Sequence, residues 1–122
     1  MRYVRVYATD EGDSRFEQVD VAGQPMCIVD GLFPLLVSGP FPVRATLFVE
    51  EPKAAASWPA HVAPKRQWIV VLRGRFEVTV TNGERREFGP GDIILAEDTV
   101  GKGHCTRFIT DDVAVVMIPI GE

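Results

Sequence analysis

Residues 61–74 read HVAPKRQWIVVLRG, and this stretch carries most of the information about the fold. It begins with a histidine, passes a proline and a short basic segment, and continues into an apolar run that a glycine closes. A strand with one solvated face alternates apolar and polar residues, but WIVVL is apolar on both faces. The stretch therefore predicts a strand that is covered on both sides, with His61 just ahead of it.

A two-residue period runs through most of the remaining chain and predicts short strands. In residues 75–81, Phe76, Val78 and Val80 share one face of such a strand. Asn82-Gly83 follows and is a strong hairpin signal. The only helix-like patch is KAAAS at 53–57, and it is too short and too proline-bounded for a firm helix. The predicted strands are residues 2–8, 16–21, 43–51, 66–74, 75–81, 84–88, 93–97, 105–109 and 113–120.

Many short strands with regular turn signals predict an all-β antiparallel sandwich or barrel. The second apolar face of the strand 66–74 then needs a cover. The pattern favours a homodimer, with Trp68, Val70 and Leu72 as contacts, and the alternative is a cover formed by the chain's own N-terminal strands. The connection LFPLLVSGPF at 32–41 is also apolar. It is expected either to close the barrel mouth as a lid or to cover a sheet face.

Composition excludes several classes of partner. The chain has 122 residues and a net charge of -4, which argues against nucleic acid and anionic membranes, because both require a basic surface. Its apolar runs are too short to span a bilayer, and its alternating, charged first residues do not resemble a signal peptide. We therefore expect a cytoplasmic protein. Cys27 and Cys105 form no disulfide framework, and Cys105 is expected to be a small buried side chain.

HVAPKRQWIVVLRG, taken together with FGPGDIILAEDTVGKGH at 88–104, resembles the two sequence motifs of the cupin superfamily. Cupins are jelly-roll β-barrels in which four inward side chains hold one divalent metal. The resemblance implies an antiparallel jelly-roll over a single domain, 1–122, with the barrel core at 43–120 and N-terminal strands in 1–42. APKRQ, FGPGD and AEDTVGKGH also look like segments of small bacterial single-cupin proteins.

Residue by residue, the metal motif is degenerate. His61 takes the first histidine position, Ala63 the second, Gln67 the glutamate position and Gly74 the glycine position, while His104 takes the histidine of the second motif. These are the only two histidines in the chain. The resemblance therefore implies His61, Gln67 and His104 as the remaining metal ligands.

Two imidazoles and one amide form a thin, uncharged ligand set for iron, zinc, nickel or manganese, which normally have three ligands including a carboxylate or thiolate. Glu50, Glu97 or Asp98 would complete the set if one of them pointed inward. The alternative is a metal-free pocket in which the two histidines are paired by hydrogen bonds and act as acid and base. A solvated loop is the competing interpretation for Glu97 and Asp98, and Gly101 and Gly103 predict positive-φ turns in it.

The resemblance and the residues together predict a pocket for a small, partly apolar organic molecule. The favoured function is an enzyme of the isomerase, cyclase, lyase or oxygenase type. The alternative is a non-catalytic binder or sensor. The predicted catalytic residues are His61, Gln67, Glu97 and His104, and the predicted pocket lining includes Phe48, Ala63 and Phe76.

Overall fold

The computed structural model describes residues 1–51 and 57–121, and these residues form strands and no helix. The helix-like patch at 53–57 lies outside the described residues apart from its last member. None of the described segments is a helix that could cross a membrane. The strands are β1 (Arg2–Ala8), β2 (Ser14–Asp20), β3 (Gln24–Met26), β4 (Leu35–Val37), β5 (Leu47–Glu51), β6 (Trp58–His61), β7 (Gln67–Arg73), β8 (Phe76–Thr79), β9 (Arg85–Phe88), β10 (Ile93–Ala96), β11 (His104–Phe108) and β12 (Val113–Pro119).

Two sheets face each other across one core. The larger sheet has the order β2-β1-β10-β7-β12-β5, and the smaller has the order β6-β11-β8-β9. Their inward apolar side chains form one cluster, as the alternation in β8 predicts: Val6, Val71, Phe76, Val78, Val80, Phe88, Ile94, Val113 and Val115. The prediction of an all-β fold of jelly-roll type is confirmed.

Among the strands of residues 1–51 and 57–121, the pairing is antiparallel with one exception. β1 runs parallel to β10, with Val4 opposite Ile94 and Val6 opposite Ala96. A parallel neighbour needs a long crossover, and here most of the chain separates the two strands. The prediction of a purely antiparallel sheet is corrected at this position.

The hairpin between β8 and β9 follows the Asn-Gly signal. The Gly83 amide donates to the Val80 carbonyl at 2.9 Å, and the Glu84 amide donates to Asn82 Oδ1 at 2.9 Å. Gly83 has φ +88°, and this backbone conformation has little energetic cost for glycine because glycine has no Cβ. The predicted turn is confirmed.

The apolar connection at 32–41 covers a sheet face and does not close the barrel as a lid. β3 and β4, which the sequence did not predict, pair as a separate two-stranded sheet. Phe41 then packs on the outer face of the large sheet, 5.3 Å from the Trp68 ring, and Tyr3 lies 4.8 Å from the same ring. The chain's own N-terminal residues therefore cover Trp68. They leave an outer groove of about 610 Å³, bounded by Met1, Tyr3, Val21, Gly23, Leu36, Ser38, Phe41, Val43, Thr46, Trp68, Val70, Ile93 and Ile118.

A glycine pair fixes the loop before β11. Gly101 and Gly103 have φ values of +85° and +74°, as predicted. A Cβ on Gly103 would lie 2.0 Å from the carbonyl oxygen of His61, and a Cβ on Gly101 would lie 2.4 Å from that of Gly12. The loop can therefore approach β6 at Gly103, and the connection between β1 and β2 at Gly101, only because both positions lack a side chain.

Candidate functional site

An inner cavity of about 450 Å³ lies between the two sheets. Its wall is almost entirely hydrocarbon, formed by side chains of both sheets: Val6, Val49, Val62, Ala63, Pro64, Ile69, Phe76, Val78, Ile94, Ala96, Phe108, Val113, Val115 and Met117. Trp58 and a few polar or charged side chains complete the lining: Glu50, Glu51, His61, Gln67, His104 and Thr106. The volume and apolar character are those of a small-molecule site.

The two histidines meet in this cavity because β6 pairs with β11, with His104 directly opposite His61. Their ring centroids are 4.8 Å apart. The Nδ1 of His61 lies 2.9 Å from the Pro59 carbonyl oxygen, which can only accept, so this nitrogen carries the proton. The Nε2 of His61 is then left as a lone-pair site.

Asp98 orients the second histidine. One carboxylate oxygen of Asp98 lies 2.5 Å from Nδ1 of His104, so Nε2 of this ring is also left for other partners. The Asp98 side chain is fully buried, and its other oxygen has no hydrogen-bond partner among the described residues. The carbonyl of Asp98 also accepts from the Ala63 amide at 3.0 Å, which ties the loop to the histidine strand. The predicted solvated loop is thus corrected at Asp98.

Gln67 supplies the remaining buried polar side chain of the cavity. It is 6% exposed, and its amide nitrogen lies 3.9 Å from the sulfur of Met117, a weak contact. The amide keeps donor and acceptor capacity for a bound molecule. His61, Ala63 and Gln67 all line the cavity, although they do not share one strand: His61 ends β6, Gln67 begins β7, and Ala63 lies in the connection between them.

The structure does not bring Glu97 to the histidines. Its carboxylate binds Arg5 at 2.5 Å and also binds Arg66, and Glu97 is not among the described cavity-lining residues. Adjacent residues of a strand or extended segment point to opposite faces, so Asp98 and Glu97 cannot both face inward. Asp98 takes the inner position that was expected for Glu97.

The ion pairs of Glu97 give its carboxyl a pH-dependent role in stability. Burial works to raise its pKa, but hydrogen bonds from Arg5 and then Arg66 outweigh burial and hold the pKa below the ordinary 4.5. A lowered folded-state pKa stabilises the fold above the ordinary value, and this contribution is lost as the pH falls through the lowered value. Glu97→Gln is therefore expected to flatten the decline in unfolding free energy below pH 4.5, measured by urea unfolding at several pH values.

The matched control for this prediction is Glu17→Gln. Glu17 shares Arg5 at 2.7 Å, but its side chain is 51% exposed, so water screens the pair. This variant should change the decline in unfolding free energy below pH 4.5 less than Glu97→Gln does. An identical decline in the wild type and in Glu97→Gln would contradict the assignment.

Two other expectations need correction, those for Phe48 and Cys105, and the position of Glu50, which the sequence left open, can be stated. Phe48 is 78% exposed and lies outside the cavity, because its neighbour Val49 takes the inward position on β5. Glu50 reaches the cavity lining, but its carboxylate also lies 3.6 Å from Arg73 at the surface. Cys105 is exposed rather than buried, since it alternates with His104 along β11.

A family model of the cupin domain matches residues 47–121. This match spans more than half of the chain and includes both histidines. The chain belongs to the cupin family. No curated protein matches it. The crystal structure of protein NMB1881 from Neisseria meningitidis is similar over 62% of this cupin and 72% of that chain, with 14% identity and a TM-score of 0.49.

The residues of this cupin do not form an ordinary zinc or iron site. Among residues 1–51 and 57–121, no group of three or more His, Cys, Asp or Glu side chains is placed to hold a metal. Where the cupin motif has a second histidine and a glutamate, this chain has Ala63 and Gln67. Asp98 adds no ligand, because its carboxylate faces Nδ1 of His104 from behind the ring. Two imidazoles and one amide lack the carboxylate or thiolate that zinc and iron sites usually include among their protein ligands.

Restoring the two missing ligands should create a metal site. In the variant Ala63→His/Gln67→Glu, both new side chains start from positions that line the cavity beside His61 and His104. We expect this variant to retain about one equivalent of iron, zinc, nickel or manganese by elemental analysis after chelator-free purification, with far less in the wild type. Ala63→Ser/Gln67→Asn is the control. Equal, near-stoichiometric metal in the wild type and the restored variant would contradict the ligand count.

Proposed function

We propose that this cupin is an enzyme that moves a proton within a small, largely apolar carbonyl compound, an isomerase-type reaction. The observation that carries the proposal is the pair of imidazoles, whose ring centroids are 4.8 Å apart. In each ring, Nδ1 is hydrogen-bonded within the protein, and Nε2 remains available to a substrate. Imidazole transfers protons near neutral pH, and two such groups on one substrate provide both an acid and a base.

The surroundings support different roles for the two histidines. A buried carboxylate such as that of Asp98 requires a positive partner, and the adjacent His104 ring supplies one when it is protonated. His61 bonds only to a neutral carbonyl through Nδ1, which leaves its Nε2 as a base. We therefore assign His104 as the acid and His61 as the base.

The proposed step is balanced without an oxidant or co-reactant. Nε2 of His61 takes a proton from the carbon beside the substrate carbonyl, while Nε2 of His104 gives its proton to the carbonyl oxygen. The product is an enol. Where a C=C bond adjoins the deprotonated carbon, Nε2 of His61 returns the proton at the far end of that bond while the enol hydroxyl returns its proton to Nε2 of His104, which completes the isomerisation and restores both histidines. Gln67 lines the same cavity and holds the polar group by a hydrogen bond.

Proton exchange in heavy water tests this proposal before the natural substrate is identified. Small ketones such as acetylcyclohexane are incubated with the protein, and the loss of the proton beside the carbonyl is followed by NMR. We expect exchange above the buffer rate, and a fall of at least about 100-fold in His61→Gln and His104→Gln. Exchange that survives in both variants, or that is absent with every ketone tested, would refute the proposal.

A non-catalytic small-molecule binder is the second candidate. It is favoured by Gln67, an uncharged amide at a position where the cupin motif has a glutamate. A binder predicts that the histidine variants change ligand affinity and that no turnover exists to be lost. The exchange experiment separates the two functions directly.

We also propose a homodimer formed through the outer face. Leu72 is 49% exposed, and Val70 lines the outer groove. The nearby hairpin adds further exposed apolar side chains: Met26, Ile28, Val29, Leu32, Phe33, Leu35 and Leu36. An apolar area of this kind is typical of a surface that meets a protein, and an isologous dimer pairs the same patch with itself.

Light scattering coupled to gel filtration tests the dimer. We expect twice the mass of one chain for the wild type, and one chain's mass for Phe33→Glu/Leu72→Glu. Val100→Glu is the control, because Val100 is 65% exposed on a loop outside the outer groove. A monomeric wild type would contradict the proposal.

A cytoplasmic location remains our proposal for this cupin. It is supported by Cys27 and Cys105, which are both exposed and both free thiols. Exposed free thiols persist most readily in a reducing compartment. Fractionation of the native cell followed by detection of the protein tests the location.

A further inference from the structure

The distribution of charge around the inner cavity distinguishes between classes of ligand. No lysine or arginine occurs among the described residues that line it. Glu50 and Glu51 also contribute to the lining at the end of β5, and the buried Asp98 carboxylate lies behind His104. An incoming anion would therefore meet hydrocarbon and, among these described residues, no lysine or arginine that could offset its charge.

We infer that the cavity takes an uncharged ligand with a compact hydrocarbon body and one carbonyl or hydroxyl group, and that it discriminates against the carboxylate of the same shape. This inference rests on the proposed function, because the single polar group is the one that the two histidines and Gln67 act on. To the proposed function it adds that the substrate is uncharged and compact.

The balance of charges at the polar end explains the discrimination. A protonated His104 is already neutralised by Asp98, so a ligand carboxylate would bring an unbalanced negative charge into an apolar space. A neutral carbonyl avoids that cost, because His104 and the Gln67 amide donate hydrogen bonds to it. Apolar surface contributed by Phe76, Phe108 and the branched side chains holds the rest of the molecule.

The volume limits the size of the ligand. At roughly 30 Å³ for each water-sized atom, a cavity of about 450 Å³ encloses about 15 non-hydrogen atoms. Nucleotide sugars and acyl thioesters of coenzyme A exceed this limit, and both also carry phosphates. A single-ring or short branched ketone, aldehyde or alcohol is within the limit.

Two tryptophans make the experiment internally controlled. Trp58 lines the inner cavity and Trp68 lines the outer groove, and they are the only tryptophans in the chain. The indole N–H signals of ¹⁵N-labelled protein, assigned with Trp68→Phe, are followed during titration with acetylcyclohexane or with cyclohexanecarboxylate. These probes differ by a methyl group in place of a charged oxygen, so charge is the main variable.

We expect acetylcyclohexane to shift the Trp58 signal with a Kd at least about 10-fold lower than that of the carboxylate. In Asp98→Asn, which removes the buried negative charge, this ratio should shrink. Equal or tighter binding of the carboxylate to the wild type would overturn the inference, as would a shift confined to Trp68 or no shift with either probe. Preferred binding of the ketone without proton exchange would uphold the inference and refute the proposed function.

Discussion

Substituting Gly103 by alanine is expected to lower the free energy of unfolding by about 3 kcal/mol or more. The new Cβ would lie 2.0 Å from the His61 carbonyl oxygen and 2.6 Å from the Val62 amide nitrogen, so backbone must move. The residue would also be held at φ +74°, which alanine rarely adopts. Urea unfolding followed by circular dichroism measures the loss.

Gly83→Ala is the matched control, because it shares the positive φ without the close contact. Gly83 has φ +88°, and nothing lies within 4 Å of an added Cβ. We expect a cost of about 1 kcal/mol there, from backbone strain alone. A Gly103→Ala variant no less stable than Gly83→Ala would show that the loop does not pack against β6 in this way. If Gly103→Ala fails to fold while Gly83→Ala folds, the prediction is met.

Replacing Asp98 by asparagine is expected to reduce proton exchange on the order of 1000-fold with little change in shape. An asparagine amide can donate to Nδ1 of His104, and Nδ1 then carries no proton of its own. The ring can no longer become the imidazolium that serves as the acid, so its Nε2–H is a much weaker proton donor. Asp98 is thus a positioning residue, since it acts through His104 and lines no part of the cavity itself. The rate is measured with the ketone assay described above.

The protonation of Nδ1 of His104 separates this role from a merely structural one. Nitrogen-15 shifts of the imidazole should report a proton on Nδ1 in the wild type and none on Nδ1 in Asp98→Asn. Asp13→Asn is the control, because Asp13 pairs with the exposed Lys102 at 2.9 Å and makes no bond to a histidine. A proton that stays on Nδ1 in Asp98→Asn would sink the assignment even if the rate fell.

Local patterning predicted most strands and little of their arrangement. The alternation in 75–81 and the apolar run in 66–74 both correspond to strands with the predicted inward faces. The short strands β3, β4 and β6 escaped prediction because three or four residues with prolines within or beside them carry no detectable period. The parallel pairing of β1 with β10 is a long-range event that no local pattern contains.

The candidate site was predictable as far as the motif extended. The spacing of His61, Ala63 and Gln67, together with His104, correctly brought four side chains to one cavity. The choice between Glu97 and Asp98 was wrong, because neighbouring acids look alike in sequence while one of them faces two arginines and the other a histidine. The available signal was the presence of Arg5 and Arg66, two arginines far apart along the chain that both pair with Glu97.

The order of the strands in the large sheet bears on how the chain acquires its structure. Among the described strands of that sheet, β5 pairs with β12 alone. β1 is connected to β7, β12 and β5 only through its pairing with β10. During synthesis, β5 and β7 therefore emerge long before the strand that links them, and their hydrogen-bonding edges stay open. Such distant pairings make folding slow and leave the nascent chain dependent on protection from aggregation until β12 has left the ribosome.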